Sequence, residues 1–144
     1  GENVTSRIRM PEVTAAVSAA SSYPGVRELM VREQRRMSAA GGVVLEGRDI
    51  GTVVLPDAEL KIFMVANVLE RARRRKRDLE LSGIDADELE LAQQIESRDT
   101  KDSTRLASPL KKADEAIELD TSDLTIEQQV TFIVERALEK MNRG

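Results

Sequence analysis

Residues 43–54 read Val43-Val44-Leu45-Glu46-Gly47-Arg48-Asp49-Ile50-Gly51-Thr52-Val53-Val54, and the fold class turns on them. Val43-Val44-Leu45 is a short apolar run of the kind that forms a buried strand. Gly47 then lets the chain turn, which leaves Arg48 and Asp49 at the strand's C-terminal end. Working outward, Pro56-Asp57 marks a turn and Leu60 to Ala66 reads as a second buried strand. The spacing predicts a helix from about Val68 to Leu81, stopped by Gly83, and another from Asp87 to about Ser97. Ala116 to Asp120 reads as a third strand. Upstream, a short helix is expected over residues 11–21, with Pro11 in its first turn. A second starts at Pro24, carries Val26, Leu29, Met30 and Met37 near one face, and ends at Gly41-Gly42. Thr125 and Gln128 make a capping box. Behind it Ile126, Val130, Ile133, Val134, Ala137, Leu138 and Met141 keep helical spacing.

Short buried strands alternating with helices predict an α/β fold built on a parallel sheet. Ligands of such sheets sit beyond the C-terminal ends of the strands, which is where Arg48 and Asp49 fall.

Composition narrows the chemistry. A chain of 144 residues fits one domain, and 40% hydrophobic with 33% charged residues describes a globular protein. No apolar run approaches the roughly 20 residues of a membrane helix. There is no cysteine and no histidine, so disulfides, thiolate metal sites and imidazole-based triads are excluded. With a net charge of −4 and 2% aromatic residues, little attracts nucleic acid or stacks on bases. A cytoplasmic address without membrane or nucleic-acid partners is the expectation.

Three groups of residues could carry chemistry. Arg48 and Asp49 could flank a ligand, although an adjacent pair of opposite charges is as readily structural. Arg98, Asp102 and Arg105 share one face if helical, and two arginines around an aspartate suit an anionic, hydroxyl-bearing ligand. Intrahelical ion pairing is the alternative. Six of the seven residues from 71 to 77 are basic. A phosphate clamp, a nucleic-acid patch and a helix salt-bridged to the acidic segment after it remain open readings.

In this order the segments resemble the cytidylate kinase family. The resemblance is carried by Gly1-Glu2-Asn3-Val4-Thr5 with Ile8-Arg9, by Ser18, and by Pro24-Gly25-Val26-Arg27. Gly47-Arg48-Asp49-Ile50-Gly51-Thr52-Val53-Val54, running into Pro56-Asp57-Ala58, is its most specific piece. Glu70-Arg71-Ala72, Arg98-Asp99 with Asp102 and Arg105, Pro109-Leu110, Leu119-Asp120-Thr121-Ser122 and the last helix complete it. It implies phosphoryl transfer from ATP, with Mg2+, to CMP or dCMP. It also implies a P-loop-kinase-like parallel sheet flanked by helices, a helical lid over about residues 68–106, and a monomeric enzyme. Residues 1–144 would be part of a nucleoside monophosphate kinase domain.

The resemblance implies roles as well. Ser18, Arg27 and Asp49 would read cytosine, and Arg48 would hold the CMP phosphate. Arg98 and Asp102 would contact the sugar, and Arg105 would sit where the two nucleotides' phosphates meet. Arg71 and Arg74 would touch ATP. No metal ligand is assigned to this chain. A carboxylate accepts from the cytosine amine, as Asp49 would. Uracil reverses that edge and would leave buried polar groups unpaired. Phosphoryl transfer asks for positioning and positive charge, which arginines supply without histidine.

No Gly-x-x-x-x-Gly-Lys-Ser/Thr loop occurs in the sequence. In the family that loop and the first strand precede the point where this chain begins. Mg2+ and the ATP phosphates would therefore be held mainly by residues outside it, and the chain alone is expected to be inactive and marginally stable. The resemblance also implies a gap in the sheet between the strand at 43–45 and that at 60–66, with two unpaired apolar edges. A non-catalytic nucleotide-binding protein and a basic helical module that binds nucleic acid remain the competing functions.

Overall fold

The computed structural model describes residues 3–5, 7–105 and 108–142, the side chains of residues 9, 11, 14, 15 and 18 excepted. Helix α1 spans Pro11–Ala20 and α2 spans Pro24–Ser38, each with proline at its first turn. A fixed φ and a missing N–H cost nothing at that position. Strand β1 is Ile62–Val65. Helices α3 (Val68–Leu81) and α4 (Glu88–Thr104) follow, then strand β2 (Ile117–Asp120) and helix α5 (Ile126–Met141).

Strands β1 and β2 pair in parallel, in register from Ile62 opposite Ile117 to Val65 opposite Asp120. The α/β expectation with a parallel sheet therefore holds, on a sheet of two strands among the described residues. Parallel neighbours need a crossover, and α3 with α4 supplies it. Thr121 seals the C-terminal end of the pair, where its N–H and hydroxyl both donate to the Val65 carbonyl, at 2.8 and 3.0 Å.

The strand expected at 43–45 does not form. Its residues have no regular structure, and Val44 is 97% exposed. A strand is held by ladder hydrogen bonds to a neighbour, and among the described residues β1 and β2 pair only with each other. Apolar sequence alone does not make a strand. A gap between this segment and β1 cannot be drawn either, since the segment is not part of the sheet.

Helix α3 matches its predicted ends. Asn67 caps it by accepting from Leu69 N–H, and Gly83 terminates it at φ +75°, a left-handed conformation that favours glycine. Asp87 caps α4 by accepting from the N–H groups of Leu89 and Glu90. Helix α4 runs past the predicted end near Ser97 to Thr104. Its last turns are polar, so no apolar period revealed them. Ala72, Leu79, Leu91 and Ala92 form the buried core between α3 and α4, with Val68, Ile84, Ala86 and Ile95 against it. Burying a leucine of this kind contributes about 1.5–3 kcal/mol. The capping box of α5 forms as expected. No helix among the described residues is long and apolar enough to cross a membrane.

Candidate substrate site

A five-residue π-turn, Ile50–Val54, follows Asp49 and brings α2 to the site. Val54 is fully buried, and Arg35 of α2 holds the turn by donating from Nε to the Val54 carbonyl at 2.9 Å and from Nη2 to the Val53 carbonyl at 2.6 Å. Gly47 keeps the approach tight, because a Cβ there would meet Ile50 Cγ1 at 2.9 Å. So anchored, α2 presents Arg27 from its first turn to Asp49, and the two form an ion pair. Asp49 is 7% exposed.

The C-terminal half of α4 supplies the other wall. Arg98, Asp102 and Arg105 fall on one face, as their spacing predicts. Asp102, 8% exposed, lies 3.7 Å from Arg98 Nε and 3.5 Å from Arg105 Nη1. Arg48 reaches in from the turn and donates from Nη1 to Asp99 Oδ1 at 2.7 Å, with its Nε 3.5 Å from Asp102 Oδ2. Arg71, at the start of α3, forks onto both oxygens of Asp99. Past the end of α4, Arg105 Nε donates to the Ser108 carbonyl and Leu110 N–H to the Asp102 carbonyl, which ties Ser108 and Leu110 to the end of the helix behind the site.

Five arginines and three aspartates thus meet, leaving an excess of two positive charges. Burial would raise the Asp99 carboxyl, but hydrogen bonds from Arg71 and Arg48, and their charges, outweigh it and hold Asp99 below the ordinary carboxylate range. Arg105 is pulled down, first by burial and then by the nearby positive charge of Arg27 and Arg48, against Asp102 and Asp49. It stays charged all the same. Within this cluster Arg27 Nε, Arg98 Nε, Arg105 Nη2 and Asp102 Oδ2 are buried without a hydrogen-bond partner. Buried polar atoms left unpaired are costly, and two of the four, Arg98 Nε and Asp102 Oδ2, face each other at 3.7 Å, within ion-pair range but too far for a hydrogen bond. An open groove of about 420 Å3 adjoins the cluster, lined by Pro24, Arg27, Val31, Arg35, Val53 and Ser108.

Of the residues singled out in the sequence, Arg27, Arg48, Asp49, Arg71, Arg98, Asp102 and Arg105 come together here. The side chain of Ser18 lies outside the described residues. Arg74 goes elsewhere, donating from Nε to Glu70 at 3.0 Å and from Nη1 to the Thr121 hydroxyl at 3.1 Å, so that it ties α3 to the end of β2. Much of the basic run is neutralised locally. Arg73 and Arg77 also approach Glu70, Arg73 pairs with Glu88 of α4, and Lys76 faces Glu80. Asp99 had no role assigned from the sequence, yet it joins α3, α4 and the turn. Its signal was present in the Arg98-Asp99 dipeptide, but no spacing rule connects it to Arg48 and Arg71.

The parallel pair, its helical crossover and the arginine-lined site are consistent with the α/β fold of P-loop nucleotide kinases. The chain belongs to the cytidylate kinase family, whose sequence profile matches residues 1–143. It is 53% identical over 136 residues to a cytidylate kinase of Streptococcus agalactiae serotype V, covering 94% of this chain and 60% of that protein. Against the cytidylate kinase of Limosilactobacillus reuteri (strain DSM 20016) it is 52% identical over 134 residues, 92% of this chain and 59% of the relative. Against that of Streptococcus suis (strain 05ZYH33) the figures are 53% over 142 residues, 99% and 63%. The chain spans about three-fifths of the length of the curated relatives it matches.

Proposed function

We propose that these residues supply the acceptor-nucleotide site of an enzyme that transfers the terminal phosphoryl group of ATP to CMP or dCMP, giving CDP or dCDP. The observation that carries the reading is the arginine–aspartate cluster with its excess of two positive charges and its four unpaired buried atoms. A phosphate monoester brings about −1.5 to −2 charge at neutral pH and three acceptor oxygens, which matches that deficit.

In this reading Arg48 holds the CMP phosphate and Arg105 bridges towards the transferring group. The buried Nε of Arg98 and Oδ2 of Asp102, which lie 3.7 Å apart, suit sugar hydroxyls. Asp49 accepts from the cytosine amine while Arg27 donates to the ring acceptors, with Ser18 as a third contact. Arg27 pairs with Asp49 through Nη2 and keeps its Nε free of a partner, so the base would slip between groups already held together and already desolvated. The lid is the α3–α4 pair, over about residues 68–106, and Arg71 is its arm towards ATP. Arg74, spent on Glu70 and Thr121, would have to leave both to follow.

Mg2+ does not fit the residues described. Among them no group of three acidic side chains could hold a metal, and each site aspartate faces arginine. The metal and the ATP phosphates call for a phosphate-binding loop, and the 144 residues contain none. These residues alone are therefore proposed to turn over no CMP.

The test is nucleotide discrimination by the full-length kinase carrying these residues. CMP should be phosphorylated and UMP rejected. Asp49→Ala should cost about 1–3 kcal/mol of CMP recognition while leaving the KM for ATP near its starting value. Equal damage to both nucleotides would assign Asp49 to structure instead.

A further inference from the structure

Asp99, on α4, accepts hydrogen bonds from arginines of two other elements, the turn and α3. Its Oδ1 accepts from Arg48 Nη1 at 2.7 Å and from Arg71 Nη2 at 3.2 Å, and its Oδ2 accepts from Arg71 Nη1. Arg48 comes from the turn beyond Gly47, Arg71 from the first turns of α3, and Asp99 from the far half of α4. The two arginines are thus gathered on one anion, in the forked geometry a guanidinium offers equally to carboxylate and phosphate.

The two grips differ. Arg48 has a second acid within reach, Asp102 at 3.5 Å, and keeps a counter-charge if Asp99 lets go. For Arg71, Asp99 is the carboxylate partner shown among the described residues. Arg71 and Asp99 also tie the first turns of α3 to the far half of α4, beyond the apolar core residues of α4, Leu91, Ala92 and Ile95.

We infer that Asp99 is a positioning residue that stands in for a ligand phosphate, holding Arg48 and Arg71 convergent and competing with the phosphate group of the bound nucleotide for them. This rests on the proposed nucleotide site but assigns a role to a residue outside it. Binding then has two components. The nucleoside part meets Arg27 and Asp49 and does not disturb Asp99. The phosphate must draw Arg48, Arg71 or both from the carboxylate, so part of its attraction is spent on displacement. Removing the charge at position 99 while keeping the shape would raise the local excess from two positive charges to three.

The experiment compares CMP with cytidine, which lacks the phosphate, by calorimetric titration of the full-length kinase and its Asp99→Asn variant. The variant should bind CMP several-fold more tightly and cytidine unchanged. Its kcat should fall, because Arg71 loses its anchor, and its KM for CMP should fall with it. Asp99→Glu should restore the original ratio of CMP to cytidine affinity. CMP affinity unchanged or weakened in Asp99→Asn overturns the inference. If wild-type protein binds neither cytidine nor CMP, it is the nucleotide site that fails instead. Should Asp99→Asn not fold, the wild type still decides. The groups around Asp99 are Arg48 from the turn, Arg71 from α3, and Arg98 and Asp102 on its own helix. Followed by carboxylate carbon NMR across acid pH, the Asp99 titration should move up towards the ordinary range when CMP is added. A titration that CMP does not move sinks the idea.

Discussion

The α3–α4 pair and the last helix, α5, are each foretold by the sequence, α5 the most clearly, and meet different fates. Both have side-chain caps at their starts, and both repeat apolar residues at helical intervals. The pair buries its apolar face, with Ala72 fully enclosed and Leu79, Leu91 and Ala92 around it. Helix α5 has no buried residue, and Ile126, Val130, Val134, Leu138 and Met141 line it in exposed positions. Helix α2 resembles α5, since Val26, Leu29, Met30 and Met37 are exposed as well. A cap and a period are enough to specify a helix. Burial needs a second apolar surface at the right place, and α3 and α4 each provide the other's.

The comparison breaks first at its strongest point. Leu79→Ala opens the core between α3 and α4 and should cost about 2–5 kcal/mol in urea unfolding, whereas Val134→Ala on exposed α5 should stay within about 0.5 kcal/mol. Equal losses would mean that α5 is covered in solution. A smaller effect sharpens the local half of the argument. Thr125→Ala removes the hydroxyl that accepts from Gln128 N–H at 3.2 Å and should cost about 0.5–2 kcal/mol. It should appear as fraying of α5 in amide exchange, with α3 and α4 protected as before.

The smallest expected effect is in pH. The folded-state titration of Asp99 lies below its ordinary value, so the protein gains stability from this group above the unfolded pKa, about 3.9. The gain is lost as pH falls through the lower, folded value. Acid unfolding of wild type and Asp99→Asn should diverge above that window and converge beneath it. Parallel curves throughout would deny the group any linkage to folding.

What the sequence disclosed follows the same division. Pro24, Gly83, Asp87 and Thr125 act within a few residues of themselves, and each marks the helix end it was read to mark. The two strands and the parallel sense of the sheet were legible from short runs separated by helices, although which strands pair was not. Val43-Val44-Leu45 misled because strand formation depends on a partner, which local composition does not encode. The end of α4 was missed because arginine, aspartate and threonine carry no apolar rhythm, although the spacing of Arg98, Asp102 and Arg105 was read correctly as one face. Within the site, short-range relations were visible. The meeting of Arg27 with Asp49 was implied by the family resemblance and by no local pattern, and that of Asp99 with Arg48 and Arg71 is set by tertiary packing and was not visible.

Helix α4 has a mechanical property that follows from where its two kinds of residue lie. Leu91 and Ala92, near one end, are gripped by α3, and Asp102, near the other, stands in the site. One unbroken rod of about 15 Å separates them at 1.5 Å per residue. The Arg71–Asp99 pair braces the helix between them; with that pair released, a tilt of about 10° about the packed end would carry Asp102 sideways by roughly 2–3 Å over that length. That is a hydrogen bond made or lost. Small readjustments of methyl groups among Ala72, Leu79 and Leu91 are thereby magnified at the tip, and substitutions deep in the apolar end should be felt by the charged end without touching it.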